Sequence, residues 1–71
     1  MMRSLFNVAQ EYVAVMEEIE RTSDPNKLQR LEEGRVRLHG EFLDALENQG
    51  IQFKDRDHAT RIAIRISKGE L

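Results

Sequence analysis

The sequence predicts an all-α fold: an antiparallel helical hairpin over about residues 4–21 and 25–49, then a short C-terminal helix over about 55–68. Three observations lead there. Leu5, Ala9, Tyr12, Met16 and Ile19 recur at alternating spacings of four and three, the heptad signature of a helix with an apolar seam. Thr22-Ser23-Asp24-Pro25-Asn26 then breaks the pattern, and Gln49-Gly50-Ile51 breaks it again.

In the first element Phe6, Val8, Val13 and Val15 flank the seam on both sides, at about 100° per residue. The apolar arc therefore spans about half the circumference, interrupted only by Glu20. A surface helix with one neighbour needs an arc of little more than about 100°. This helix has more apolar face than one partner helix covers.

The second element opens with a strong start signal. Pro25 suits the first helical position, where its missing N–H is not needed, and Asp24 before it can cap the free amides. Leu28, Leu31, Leu38, Phe42, Ala45 and Leu46 share one face, with Val36 and Leu43 forming a thinner line beside it. Gly34 and Gly40 interrupt this helix, each costing about 1 kcal/mol against Ala. They mark a bend, a close approach by a neighbouring backbone, or tolerated surface positions. At the far end Gly50 suits the left-handed residue that closes many helices, with Ile51 then placed to touch Leu46.

Two patterns compete in the third segment. Ala59, Ile62, Ala63 and Ile66 share a helical face that Asp55 or Asp57 would cap. Yet Ile62, Ile64 and Ile66 also alternate with Ala63 and Arg65, as does Ile51-Gln52-Phe53-Lys54, so a hairpin fits as well. The helix is favoured, because a hairpin loop here would lack Gly and Asn and an isolated two-stranded hairpin is marginal in water.

A chain of 71 residues makes one domain, residues 1–71, with too small a core for comfort: such chains bury only about 60% of their unfolded surface. Small domains compensate with disulfides, metals or association. There is no Cys, which removes disulfides and thiolate metal sites and leaves association as the expected device. Hydrophobic residues at 39% beside charged ones at 34% give a globular balance, not a disordered one. No apolar run reaches the length of a membrane span and the N-terminal residues do not read as a signal peptide, so the expectation is a cytoplasmic protein with no membrane partner.

Few residues invite chemistry. His58 sits in Asp55-Arg56-Asp57-His58, but no second His or Cys stands at a ligand spacing and Arg56 opposes a cation, so a helix start is the expected role. A two-His zinc helix would need a ligand one turn from His39, where Arg35 and Leu43 stand instead. At the edge of the apolar stripe, His39 is expected to fill space or to hydrogen-bond. Glu17-Glu18 and Glu32-Glu33 are adjacent pairs that diverge by about 100° on a helix and share no site. No phosphate-binding glycine loop is present, and a helical hairpin is not expected to hold a pocket of substrate size. The expectation is a non-enzymatic protein with no cofactor, no metal and no catalytic residue.

The excess apolar surface points to contact with another polypeptide, foremost a second copy of the chain. Leu5, Phe6, Val8, Ala9, Tyr12, Val13, Val15, Met16 and Ile19 on the first helix, with Val36 and Leu43 on the second, form the expected interface of a homodimer or larger helical bundle. Arg35, within an otherwise apolar arc, either extends its head to solvent or pairs with a carboxylate such as Glu20 of another subunit. The role expected is that of a small regulator, adaptor or chaperone. The alternative from a different class is a nucleic-acid-binding accessory using Lys54, Arg56, Arg61, Arg65 and Lys68. These five cations against Asp55, Asp57 and Glu70 leave residues 51–71 at +2, hence residues 1–50 at −4 of the total −2. Nucleic-acid binders carry a denser basic stripe, so nucleic acid is not the expected partner.

Overall fold

The computed structural model describes residues 3–70. Helix α1 spans Leu5–Arg21, α2 spans Pro25–Asn48 and α3 spans Arg56–Ser67, with no strand among the described residues. Every boundary lies within one residue of its sequence expectation, and the third segment resolves as a helix.

Each helix begins on a side-chain oxygen that satisfies one of the free first-turn amides. Ser4 Oγ accepts from Asn7 N at 3.1 Å, Asp24 Oδ1 from Asn26 N at 3.0 Å, and Asp55 Oδ1 from His58 N at 2.9 Å. Two helices end on glycine. Gly50 adopts φ 72°, Gly50 N donates to Glu47 O at 3.1 Å and Ile51 N to Leu46 O at 3.0 Å, the paired bonds of a Schellman ending. Gly69, at φ 75°, closes α3 in the same way, through Glu70 N to Arg65 O at 2.9 Å.

The two kinds of glycine give opposite expectations. Nothing lies within 4 Å of a Cβ built on Gly34 or Gly40, so these are tolerated positions in a helix rather than points of close approach. Replacing either with Ala should raise stability by about 0.5–1 kcal/mol, whereas Gly50→Ala should lower it by about 1 kcal/mol because its φ is left-handed. Thermal melts of the three variants check this; a stabilising Gly50→Ala would contradict the helix ending described.

α1 lies at the centre. It packs against both α2 and α3, while α2 and α3 scarcely touch through their backbones. Tyr12 meets Thr60 on α3, and Leu5 and Phe6 share a cavity rim with Ile66 and Gly69, so α3 runs opposite to α1. The wide apolar arc of α1 is thus divided between two neighbours of the same chain. At 1.5 Å per residue the 24 residues of α2 reach about 36 Å, which accounts for the longest dimension of the molecule, 38 Å.

One apolar cluster joins the three helices: Val8, Ala9 and Tyr12 from α1, Leu38, Phe42 and Leu46 from α2, and Ala59, Ile62, Ala63 and Ile66 from α3. Ala9, Ala59 and Ala63 are fully buried, and small side chains there let α1 and α3 approach closely. Phe42 stacks on Tyr12 with ring centroids 5.9 Å apart. The cluster is one-sided along the hairpin. No residue of α1 beyond Tyr12 is fully buried, and none of α2 before Leu38. Leu28 and Leu31, which share the stripe, remain half-exposed.

Candidate interaction surface

The residues expected to face a partner are divided by the fold into three groups. Val8, Ala9 and Tyr12 belong to the chain's own core, at most 2% exposed, so no partner reaches them in the folded chain. This corrects the expectation that the whole seam of α1 is available, and the reason is α3, which supplies the second neighbour. Leu5, Val13, Val15, Met16 and Leu43 pack against the core but keep part of their surface, and Ile19 is half-exposed. Phe6 at 45% and Val36 at 62% are the large apolar side chains left open to solvent.

The half-buried residues of α1 outline a groove. It runs between the outer flank of α1 and α3, with a volume of about 770 Å³. Val13 and Met16 from α1 and Ile64 from α3 are its half-buried apolar lining, and Gln10, Ala14, Glu17, Glu20 and Lys68 line it as exposed residues. A concavity of substrate size therefore exists where none was expected. It arises because α3 packs on α1 through alanines at one edge, leaving the helices open along the other. Glu20, the lone polar residue in the arc of α1, lines this groove and is exposed.

Below the groove a polar knot ties the three helices together. Tyr12 Oη on α1 lies 2.7 Å from His39 Nδ1 on α2 and 3.3 Å from Thr60 Oγ1 on α3. The Tyr12 and His39 rings meet edge-on at 5.4 Å. His39 Nε2 is buried with no hydrogen-bond partner among the described residues. Burial pushes the His39 imidazole below its ordinary pKa of 6.5, and the cationic Arg56 and Arg35 push it further in the same direction. His39 is thus a hydrogen-bonding residue, one of the two roles expected of it.

His58 is occupied at the start of α3. Its main-chain N–H is bound by Asp55, and its Nδ1 accepts from Lys54 N at 2.9 Å. The return bond goes to the amide one residue before the N-cap, so the helix start is held on both sides of Asp55. Among the described residues no three His, Cys, Asp or Glu side chains gather as a metal site would require.

Some of the surface charge is paired within the chain. Arg35 binds Glu32 one turn away, at 3.2 Å through Nε and 3.4 Å through Nη2, so within the chain its partner is not Glu20. Arg21 and Lys27 hold Glu18 and keep its carboxyl below the usual range, Arg21 most strongly. Arg3 pairs with both Glu11 and Glu41, tying the start of α1 to α2. Of the five cations considered for nucleic acid, all are exposed. Arg61, Arg65 and Lys68 fall within one outward sector of α3 about 60° wide, while Arg56 lies on the opposite flank and Lys54 precedes the helix.

No family model, no curated protein and no solved structure matches this chain. Its function rests on the site alone.

Proposed function

We propose that this protein is a small, non-enzymatic protein–protein interaction module, acting as a homo-oligomer in a regulatory, adaptor or chaperone-like role in the cytoplasm. The observation that carries the reading is the open groove between α1 and α3, whose half-buried lining is Val13, Met16 and Ile64. A groove lined by apolar side chains and rimmed by charge suits an apolar polypeptide surface. Its polar groups are spread around the rim rather than converging on one point, and both histidines are engaged in holding helices in place. Both features support docking over catalysis. No helix among the described residues is long and apolar enough to cross a membrane.

Sedimentation at micromolar concentration tests the reading. The expected species has at least twice the 8.3 kDa mass of the chain, and a monomer throughout that range would remove self-association from it. The nucleic-acid reading rests on Arg61, Arg65 and Lys68 alone on one face, and no Phe, Tyr or Trp stands in α3 to stack on a base. Retention on nucleic acid that falls steeply with salt would favour that alternative instead.

A further inference from the structure

The groove carries charges of opposite sign at opposite corners. Along α1 it runs from Gln10 through Val13 and Met16 to Glu17 and Glu20; along α3, which runs the other way, from Lys68 through Ile64 to Thr60. Lys68 therefore stands at the Gln10 end on the α3 side, and Glu17 and Glu20 stand at the far end on the α1 side. Among the described residues none of these three charges has an ion-pair partner, although the neighbouring Glu18, Arg21 and Arg65 all do. The helices repeat the asymmetry. α1 carries Glu11, Glu17, Glu18 and Glu20 against Arg21, a net −3, and α3 carries Arg56, Arg61 and Arg65 against Asp57, a net +2.

We infer that this groove is the contact between two copies of the chain related by a two-fold axis, which sets Glu17 and Glu20 of each copy against Lys68 of the other. The inference rests on the reading of the groove as a docking surface and adds its occupant and geometry. An isologous contact requires a surface complementary to itself. A patch that is apolar in the middle, acidic at one corner and basic at the diagonal corner meets that requirement, because the two-fold that exchanges the corners forms both sets of ion pairs at once. Ala14, small and exposed in the groove lining, leaves room for a second helix to come close. A foreign basic helix would suit Glu17 and Glu20 but would be repelled by Lys68.

Charge reversal tests the arrangement on the full chain. Lys68→Glu makes all the charged corners acidic, and the double variant Glu17→Lys/Glu20→Lys makes them all basic. Each variant alone should dimerise at least about tenfold more weakly than the parent, since like charges then face each other. Mixed in equal amounts, the two variants should form a heterodimer as tight as the parent dimer, because each supplies the charges the other lacks. Sedimentation equilibrium reads all four samples, and circular dichroism confirms that each variant keeps its helices. Ala14→Arg, which places a bulky charge in the groove lining at an exposed position, should give a folded monomer. If the parent is a dimer but the reversals leave it unchanged, or the mixture fails to restore association, this geometry is overturned while the docking reading stands. A parent that stays monomeric overturns the self-contact and removes self-association from the docking reading, leaving a different polypeptide as the occupant.

Discussion

Phe42→Ala should lower the melting temperature of the chain more than any other single truncation. Phe42 is fully buried and stacks on Tyr12 where the three helices meet. Truncating a buried Phe to Ala costs about 3–5 kcal/mol, part of it lost transfer energy and part the cavity left behind. A folded chain of this size has roughly 4–10 kcal/mol in total, at about 0.05–0.15 kcal/mol per residue. The loss thus takes from about a third of the stability to all of it, and a self-associating chain should recover some of it as concentration rises. Far-ultraviolet circular dichroism during thermal melting reads the effect directly. Val36→Ala, at a position 62% exposed, is the control and should change stability by less than about 0.5 kcal/mol. Equal melts for the two variants would mean that the core does not centre on Phe42.

Tyr12→Phe should cost about 0.5–1.5 kcal/mol although it removes a single oxygen, because that oxygen serves the partly buried His39 and Thr60 together. The same knot should make stability depend on pH. In the neutral imidazole, one tautomer lets Tyr12 donate to Nδ1; in the other, Nδ1–H donates to Tyr12 and the phenol turns to Thr60. Protonation puts a hydrogen on both nitrogens, leaving Nε2–H charged and buried without an acceptor. Around it stand Tyr12 from α1, Arg35 from α2 itself, and Thr60 and Arg56 from α3, and no carboxylate among the described residues is hydrogen-bonded to it. The unfolded chain takes up this proton near pH 6.5, while the folded chain resists until lower pH. The unfolded state therefore binds more protons in that interval, so stability is full above about pH 7 and declines as pH falls through 6.5, levelling once the folded imidazole has also titrated. Urea midpoints measured at steps from about pH 8 to pH 5 should fall in the parent and stay nearly flat in His39→Gln, which keeps a side-chain partner for Tyr12 but does not titrate. A parent profile that rises toward acid would reverse the sign and remove His39 from the account.

The helix boundaries were legible because caps are local chemistry. Ser4, Asp24 and Asp55 act within three residues of themselves, and Gly50 relieves a strain that any side chain would feel. The ambiguity of the third segment was physical too. Ile62, Ile64 and Ile66 satisfy a period of two, but only Ile62 and Ile66, with Ala59 and Ala63, reach the core, while Ile64 lines the groove. What the pattern did not contain was the division of the arc on α1. Tyr12 and Met16 are successive residues of one heptad seam, yet Tyr12 is buried and Met16 stands in the groove. The difference is set by α3, which covers α1 along one edge, and no spacing within α1 reports that. The rim of the groove was missed for the same reason, since Gln10 and Ser67 carry no periodic signal and meet only in three dimensions. Glu20 was the exception, conspicuous as the one polar residue in its arc.

The uneven burial along α2 makes one rod behave as two materials. Its last eleven residues hold every buried side chain of the helix, from Leu38 to Leu46. The first thirteen hold none, and their anchors are the Asp24 cap, the Lys27–Glu18 pair and the half-exposed Leu28 and Leu31. A free helix of about 12–15 residues is marginal in water. The backbone amides of that first stretch therefore open without disturbing the core, while those around Phe42 open only when the whole chain does. The helix is stiff where it meets α1 and α3 together and compliant toward the hairpin turn, so strain applied at the turn dissipates before it reaches the three-helix junction.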